Sequence, residues 1–287
     1  MSEQPIKEFS YHIAWRSHSR RPGRHKSNQR GMGMEFRGHT TLLAYPDPRR
    51  IDIRQTIRDP LEQIHVRLFN QKSITPVFVL CDLSGSMQYG VKQKKLTVAA
   101  DIAQSVAQSV TRNRDLVGFI GFDDTVREDW LCTLSARPHS TMEMAENLRT
   151  YQAGEVGSRG IIDTVRLLPR ERSLIFMVSD FHMPISDLEE SLVLMQRHHI
   201  VPVVLWDTSE YADLPEFGIT NVTDPETGAK RTLFLRKSYR EQILQSFAER
   251  RDLIKQLFSR YDMEPFFVEN QFDADLLTDY FHQYVAA

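Results

Sequence analysis

The stretch VFVLCDLSGSM, residues 77–87, runs five apolar residues into a lone aspartate, and two serines flanking a glycine follow almost at once. A continuous apolar run of this kind is a strand buried on both faces, as in the middle of a parallel sheet. The carboxylate at its end has hydroxyls at i+2 and i+4 in the loop beyond. Four roles suit that arrangement: a nucleophile, a metal ligand, a phosphate cradle or a plain turn.

The pattern repeats downstream. Apolar residues recur at Leu96, Ala99, Ala103, Val106 and Val110, the spacing of one helix face. DLVGFIGF (115–122) and VREDWLCTL (126–134) predict two strands around Asp123-Asp124, and a helix covers roughly 140–150. A further helix follows the glycine-bearing loop AGEVGSRG (153–160). SLIFMVSD (173–180) and IVPVVLWD (200–207) again run a strand into an aspartate, with a helix over 185–199 between them that Ser186 or Asp187 caps. Residues 217–235 predict a hairpin excursion, 239–261 a long amphipathic helix, EPFFVEN a last strand, and a short helix closes the chain. Such alternation predicts an α/β fold: a doubly wound, mostly parallel sheet with helices on both faces.

Residues 1–73 read differently. They are rich in turn formers, with Gly31 and Gly33 bracketing Met32 at an expected bend and Pro46-Asp47-Pro48 at a turn. Short strands and a helix over 61–71 are expected there. The segment is too irregular to fold alone, so it is expected to pack on the body, residues 74–287. It is also basic, with 14 Lys and Arg against 7 Asp and Glu, which leaves 22 against 31 for the rest. Internal docking is the expected use of that asymmetry, since the net charge of −2 argues against a general nucleic-acid binder. Arg49, Arg50 and Arg54 are expected to pair with acidic groups of the body. Two cysteines inside strand-like runs predict free core thiols rather than a disulfide framework. No charged start precedes an apolar core near Met1, and no window approaches about 18 apolar residues, so a cytoplasmic protein without a membrane span is expected. His198-His199 closes a predicted helix, where the dipole favours a partly charged imidazole.

Chemistry belongs at the carboxyl ends of the strands, where open α/β sheets bind ligands. Asp82, Asp180 and Asp207 fall there. A carboxylate with two hydroxyls is an all-oxygen donor set, and magnesium is commonly held by one or two carboxylates with waters completing its octahedron. The loop at 154–160 offers Ser158 beside Gly157 and Gly160, and Asp180 reaches in from the next strand end. Gln88 and Tyr89, just beyond the serines, are expected at the rim with Gly157.

This constellation resembles the metal-ion-dependent adhesion site of von Willebrand factor A domains, whose pattern is Asp-x-Ser-x-Ser, a Thr from a later glycine-containing loop, and an Asp after the fourth strand. Asp82, Ser84 and Ser86 match the first part and Asp180 the last; Ser158 stands where Thr is usual. The chain is also similar, over nearly its whole length, to the bacterial domain-of-unknown-function family 58. Gly33-Met34-Glu35-Phe36 and Arg50-Ile51-Asp52-Ile53 correspond to that family's blocks, with Ile53 in place of the common Trp. The resemblance implies Mg2+ (or Mn2+ or Ca2+) held by Asp82, Ser84, Ser86, Ser158 and Asp180. It implies a protein that is no enzyme but an accessory beside a MoxR-type AAA+ ATPase, bridging to an Asp or Glu of a client during maturation or metal insertion. The alternative is a phosphoryl-transfer enzyme of haloacid-dehalogenase type with Asp82 as nucleophile, although the Lys at i+1 and the Asp at i+2 typical of those loops are absent.

Overall fold

The computed structural model describes residues 7–17, 21–25, 27, 30–70, 72–91, 93–154, 157–211, 218–223, 230–235 and 237–285. They divide into two compact units, one of Ile13–Thr75 and one in which the segment ending at His12 joins the chain from Pro76 onward.

In the first unit, β1 (Pro22–His25) runs beside residues 72–74, with Gly23 donating to the Lys72 carbonyl at 2.9 Å. A Cβ on Gly23 would lie 2.3 Å from the Ile74 nitrogen, so only glycine fits that approach. β2 (Arg30–Thr41) pairs antiparallel with β3 (His65–Asn70), Phe36 opposite Phe69. Its register shifts between Arg30 and Glu35, the stretch that holds the expected bend at Gly31 and Gly33. Between the strands lies α1 (Ile53–Arg58), capped by Asp52, which accepts from the Arg54 and Gln55 amides. The other Asp52 oxygen takes Arg67 Nε at 2.6 Å and His39 Nε2 at 3.1 Å. Those bonds, Arg67 foremost, hold the carboxyl well below the usual carboxylate range. Arg50 finds its acid inside this unit, at Asp47. The helix expected over 61–71 is instead strand β3. Val66, Leu68 and Asn70 are buried while Arg67 is exposed, a period of two that pairing with β2 selects over the helical reading.

The second unit is a six-stranded sheet in the order β11-β8-β7-β4-β5-β6. Its strands are β4 (Pro76–Asp82), β5 (Leu116–Phe122), β6 (Val126–Ser135), β7 (Leu174–Ser179), β8 (His199–Trp206) and β11 (Phe266–Glu269). All neighbours are parallel except β6, which runs antiparallel to β5 after the Asp123-Asp124 turn. Every residue of β4 and β7 is buried, as continuous apolar runs require. The intervening helices are α2 (Lys95–Asn113), α3 (His139–Thr150), the single turn α4 (Ile161–Thr164), α5 (Ile185–Met195), α6 (Lys237–Ser259) and α7 (Ala274–Tyr284). β9 (Gly218–Thr223) and β10 (Lys230–Leu235) form the expected antiparallel hairpin; its tip lies outside the described residues.

Alternation along the strands divides the core. Phe78, Leu80, Ile175 and Met177 cluster with Leu188 and Leu192 of α5 and with Ile254 and Phe258 of α6. Phe176 points the other way, onto Phe281 of α7 and onto Phe9, which stacks on Phe281 at 5.9 Å and donates its amide to Ser109 of α2. Helices therefore cover both faces, and of residues 7–12 Phe9 and Tyr11 are buried in the body's core. Cys81 and Cys132 are free and buried. Pro184 is the N-cap residue of α5 and makes no side-chain cap bond, so neither Ser186 nor Asp187 plays that part. α5 ends at Met195, and His198 lies buried with Nδ1 accepting the Ser173 amide. Burial, with Arg197 and Arg172 nearby, lowers the His198 pKa to about 4, and His199 at the start of β8 is lowered likewise to about 4. The expectation of charged imidazoles is therefore reversed: burial outweighs the helix dipole here. Among the described residues, no helix is long and apolar enough to cross a membrane.

Candidate functional site

β4 sits between β5 and β7, so the chain leaves the sheet in opposite directions from adjacent strand ends. That switch point opens a crevice at the carboxyl ends of β4 and β7. Asp82 closes β4 and Asp180 follows β7 directly.

Asp82 is 1% exposed. Its Oδ1 accepts the Ser84 amide at 2.9 Å, which curls the chain into a short 3-10 turn over Gly85–Gln88. Its Oδ2 accepts the Ser179 hydroxyl at 2.6 Å. The Ser84 and Ser86 hydroxyls lie 3.2 Å apart, both buried. Among the described residues no cationic side chain pairs with Asp82. Burial first, then the neighbouring charge of Asp180, pushes its pKa up to about 7 against the bonds from Ser179 and Ser84.

Asp180 has the opposite environment. Its Oδ1 accepts the His182 amide at 3.2 Å, and its Oδ2 takes the Lys95 ammonium at 2.9 Å. Burial opposes its ionisation, but Lys95 outweighs it, with help from His182 and the Ser86 hydroxyl, and the carboxyl ends below the usual range. The turn after it is tight: Phe181 adopts a left-handed φ of 53° and donates its amide to Ser179 Oγ at 2.9 Å. A bulky residue in that region signals local backbone strain, which clusters at functional sites. Ser179 thus ties the two strand ends together.

Lys95, the first residue of α2, is 3% exposed and also reaches Glu210 Oε1 at 2.6 Å. Glu210 Oε2 accepts the Asp207 amide, and Asp207 Oδ2 accepts the Val91 amide at 3.2 Å. The third strand-end aspartate therefore fastens the loop after the serines rather than facing the cup.

Of the expected ligands, Asp82, Ser84, Ser86 and Asp180 are brought together. Ser158 is buried, but its hydroxyl meets none of these four among the described residues; its carbonyl accepts the Ile161 amide. Gly157 lies where a Cβ would approach Asp124 Oδ1 to 2.8 Å, and Gly160 donates to the Asp123 carbonyl at 2.8 Å, so that loop rests on the β5–β6 turn. Gln88 is turned inward, its amide donating to the Tyr151 carbonyl at 2.8 Å and its oxygen accepting from Lys94. Tyr89 is 41% exposed at the rim, its hydroxyl 3.3 Å from Ser209 Oγ. Three participants escaped sequence reasoning: Ser179, Lys95 and Glu210. Only Ser179 had a signal, its place one residue before a strand-end aspartate.

The donor set fits a hard divalent cation. It is all oxygen, it is preassembled, and the 3.2 Å between the serine hydroxyls is close to the roughly 3 Å edge of an octahedron with 2.1 Å metal–oxygen bonds. Among the described residues there is no cluster of three or more His, Cys, Asp or Glu side chains that would hold a softer or more highly charged site.

A doubly wound sheet of this order, with Asp-x-Ser-x-Ser leaving its central strand, is the arrangement that the resemblance to von Willebrand factor A domains implies. The chain belongs to the family described as "Protein of unknown function DUF58", which it matches over residues 46–252. It is 26% identical over 98 residues to an "Uncharacterized protein in moxR 3'region" of Paracoccus denitrificans, covering 34% of this chain and 93% of that one. It is 24% identical over 209 residues to "Uncharacterized protein Mb1516" of Mycobacterium bovis, covering 71% of this chain and 65% of the relative's length. The solved "conserved hypothetical protein BatB" of Bacteroides thetaiotaomicron is similar at 12% identity, covering 73% of this chain and 98% of that one, with a TM-score of 0.45.

Proposed function

We propose that this protein binds a divalent cation, magnesium in the first instance, in the cup of Asp82, Ser84 and Ser86, and uses it to hold an acidic residue of a partner. The observation that carries this reading is the Asp82 carboxyl itself. It is buried beside two hydroxyls and a second carboxylate, and lacks a cationic partner among the described residues. Buried carboxylates are ordinarily paired or coordinate metals. Asp180 would border the cup from the end of β7, its carboxylate within reach of the Ser86 hydroxyl.

A bound divalent ion would supply an electrophilic point for a partner's carboxylate. The chain's own residues do the rest: Ser179 and the Ser84 amide fix the Asp82 oxygens, and the 3-10 turn over Gly85–Gln88 keeps the two serine hydroxyls together. Tyr89 and the loop at Gly157 would frame what approaches. The function is recognition rather than catalysis. The relative named for its place 3' of moxR supports an accessory role beside a MoxR-type AAA+ ATPase; the task so assisted would be maturation or metal insertion of a client that presents Asp or Glu.

Calorimetric titration with MgCl2 tests the site. One ion per chain is expected, lost in Asp82→Ala with the fold retained by circular dichroism. Binding of a MoxR-type ATPase from the same genome should then require both Mg2+ and Asp82. Turnover of p-nitrophenyl phosphate that disappears in Asp82→Ala would replace this reading with phosphoryl transfer.

A further inference from the structure

Lys95 is the most deeply buried lysine described, and it lies beside the cup rather than on the surface. Its ammonium sits between Asp180 Oδ2 at 2.9 Å and Glu210 Oε1 at 2.6 Å. A lysine this buried is retained only when paired, and here two carboxylates share it. The consequence falls on Asp180. Of the two strand-end aspartates facing the crevice, one already has a fixed cation and the other has none among the described residues. Arg250, also near Asp180, is engaged with the Phe181 and Met183 carbonyls instead.

We propose that Lys95 is a positioning residue that withholds the charge of Asp180 from the cup, so that a divalent cation there is held by one unneutralised carboxylate and keeps affinity for a partner's acid. This rests on the metal-binding reading above and adds to it the residue that sets the ion's grip. With Asp180 free, the cup would present two adjacent carboxylates, hold the ion tighter and leave it less able to accept a third. Glu210 works in the opposite sense: it draws part of the ammonium's field away from Asp180, so its loss should strengthen the hold of Lys95 and weaken the cup.

The two substitutions therefore predict opposite shifts, which a merely structural role would not produce. Binding of MnCl2 is measured by the loss of the free-ion electron paramagnetic resonance signal, with the fold checked by circular dichroism. Lys95→Met should bind Mn2+ at least tenfold more tightly than the wild type. Glu210→Gln should bind it at least threefold more weakly while keeping the acceptor for the Asp207 amide. Both affinities unchanged, or both shifted the same way, would overturn the assignment of Lys95. If Lys95→Met does not fold, Glu210→Gln decides alone: unchanged or tighter binding refutes the proposal. Should wild type bind no Mn2+, the metal reading itself fails, and this inference with it. Should wild type bind, and Asp82→Ala not, while the two variants fail to diverge, only the role of Lys95 is lost.

Discussion

Replacing Asp82 by asparagine should stabilise the metal-free protein at pH 8 and leave it almost unchanged at pH 4.5. The buried carboxyl has its pKa pushed up to about 7 from an ordinary 3.8, by burial and then by Asp180. In the unfolded chain it ionises near the ordinary value. Between the two values the folded protein keeps a proton that the unfolded chain has given up, so stability falls as pH rises through that window. Above it the penalty is complete. At about 1.36 kcal/mol per pKa unit, the difference caps the penalty at about 4 kcal/mol. Asparagine removes the charge but weakens the bonds from Ser179 and the Ser84 amide, returning about 1–2 kcal/mol. A net gain of about 2 kcal/mol is expected at pH 8.

Urea unfolding in the presence of EDTA, followed by tryptophan fluorescence, reads this directly. At slopes of about 2–3 kcal/mol/M the midpoint should rise by roughly 1 M at pH 8. At pH 4.5 the wild-type carboxyl is itself neutral, and the midpoints should nearly coincide. Added Mg2+ should then raise the wild type alone, reversing the order. Asp82→Asn equally destabilised at both pH values would refute the reasoning, because it would mean the carboxylate is not held against its charge.

Phe9→Ala should cost about 3 kcal/mol in urea unfolding, the usual range for truncating a core phenylalanine, since Phe9 stacks on Phe281 and meets Phe176 edge-on. Gly160→Ala should lower the melting temperature by several degrees, because its Cβ would lie 2.5 Å from the Thr125 carbonyl carbon and 2.6 Å from the Asp123 carbonyl oxygen, both backbone. His198, with its pKa lowered to about 4 by burial and by Arg197 and Arg172, should make stability fall as pH drops from about 6.5 toward 4. His198→Asn, which keeps an acceptor for the Ser173 amide, should flatten that fall in thermal melts at pH 7 and pH 5.

What the sequence made legible is what depends on periodicity and on strand ends. VFVLCD and SLIFMVSD announce buried parallel strands because nothing polar interrupts them, and the aspartates follow because the chain must leave the sheet there. The misread helix over 61–71 has a physical cause. Leu61, Ile64 and Leu68 fall at i, i+3 and i+7, a helical stripe, yet Leu61 and Ile64 are exposed and only the alternation from Val66 onward is buried. The partners of β3 in β2 lie 24 (Thr41 to His65) to 40 (Arg30 to Asn70) residues away in sequence and leave no local mark. His198 and Lys95 are illegible for the same reason. Lys95 follows Lys92 and Lys94 in a stretch that reads as the solvated start of a helix, and only the arrival of Asp180 and Glu210 from the loops after β7 and β8 gives it a buried place.

The two strand-end aspartates show how one local motif acquires two roles. Asp82 and Asp180 close neighbouring parallel strands, and each accepts the amide two residues on. The turns beyond them differ in one respect, Phe181 being left-handed where Leu83 is not. The difference in role comes from α2, the helix that follows the serine loop, which delivers an ammonium to one carboxylate and not to the other. Had Lys95 met Asp82, the cup would be closed by an internal ion pair. Had it met neither, two buried carboxylates would repel, and one would hold its proton more firmly. The arrangement found leaves a single charge unanswered beside two hydroxyls, and a site in that condition is stabilised by whatever cation comes to it.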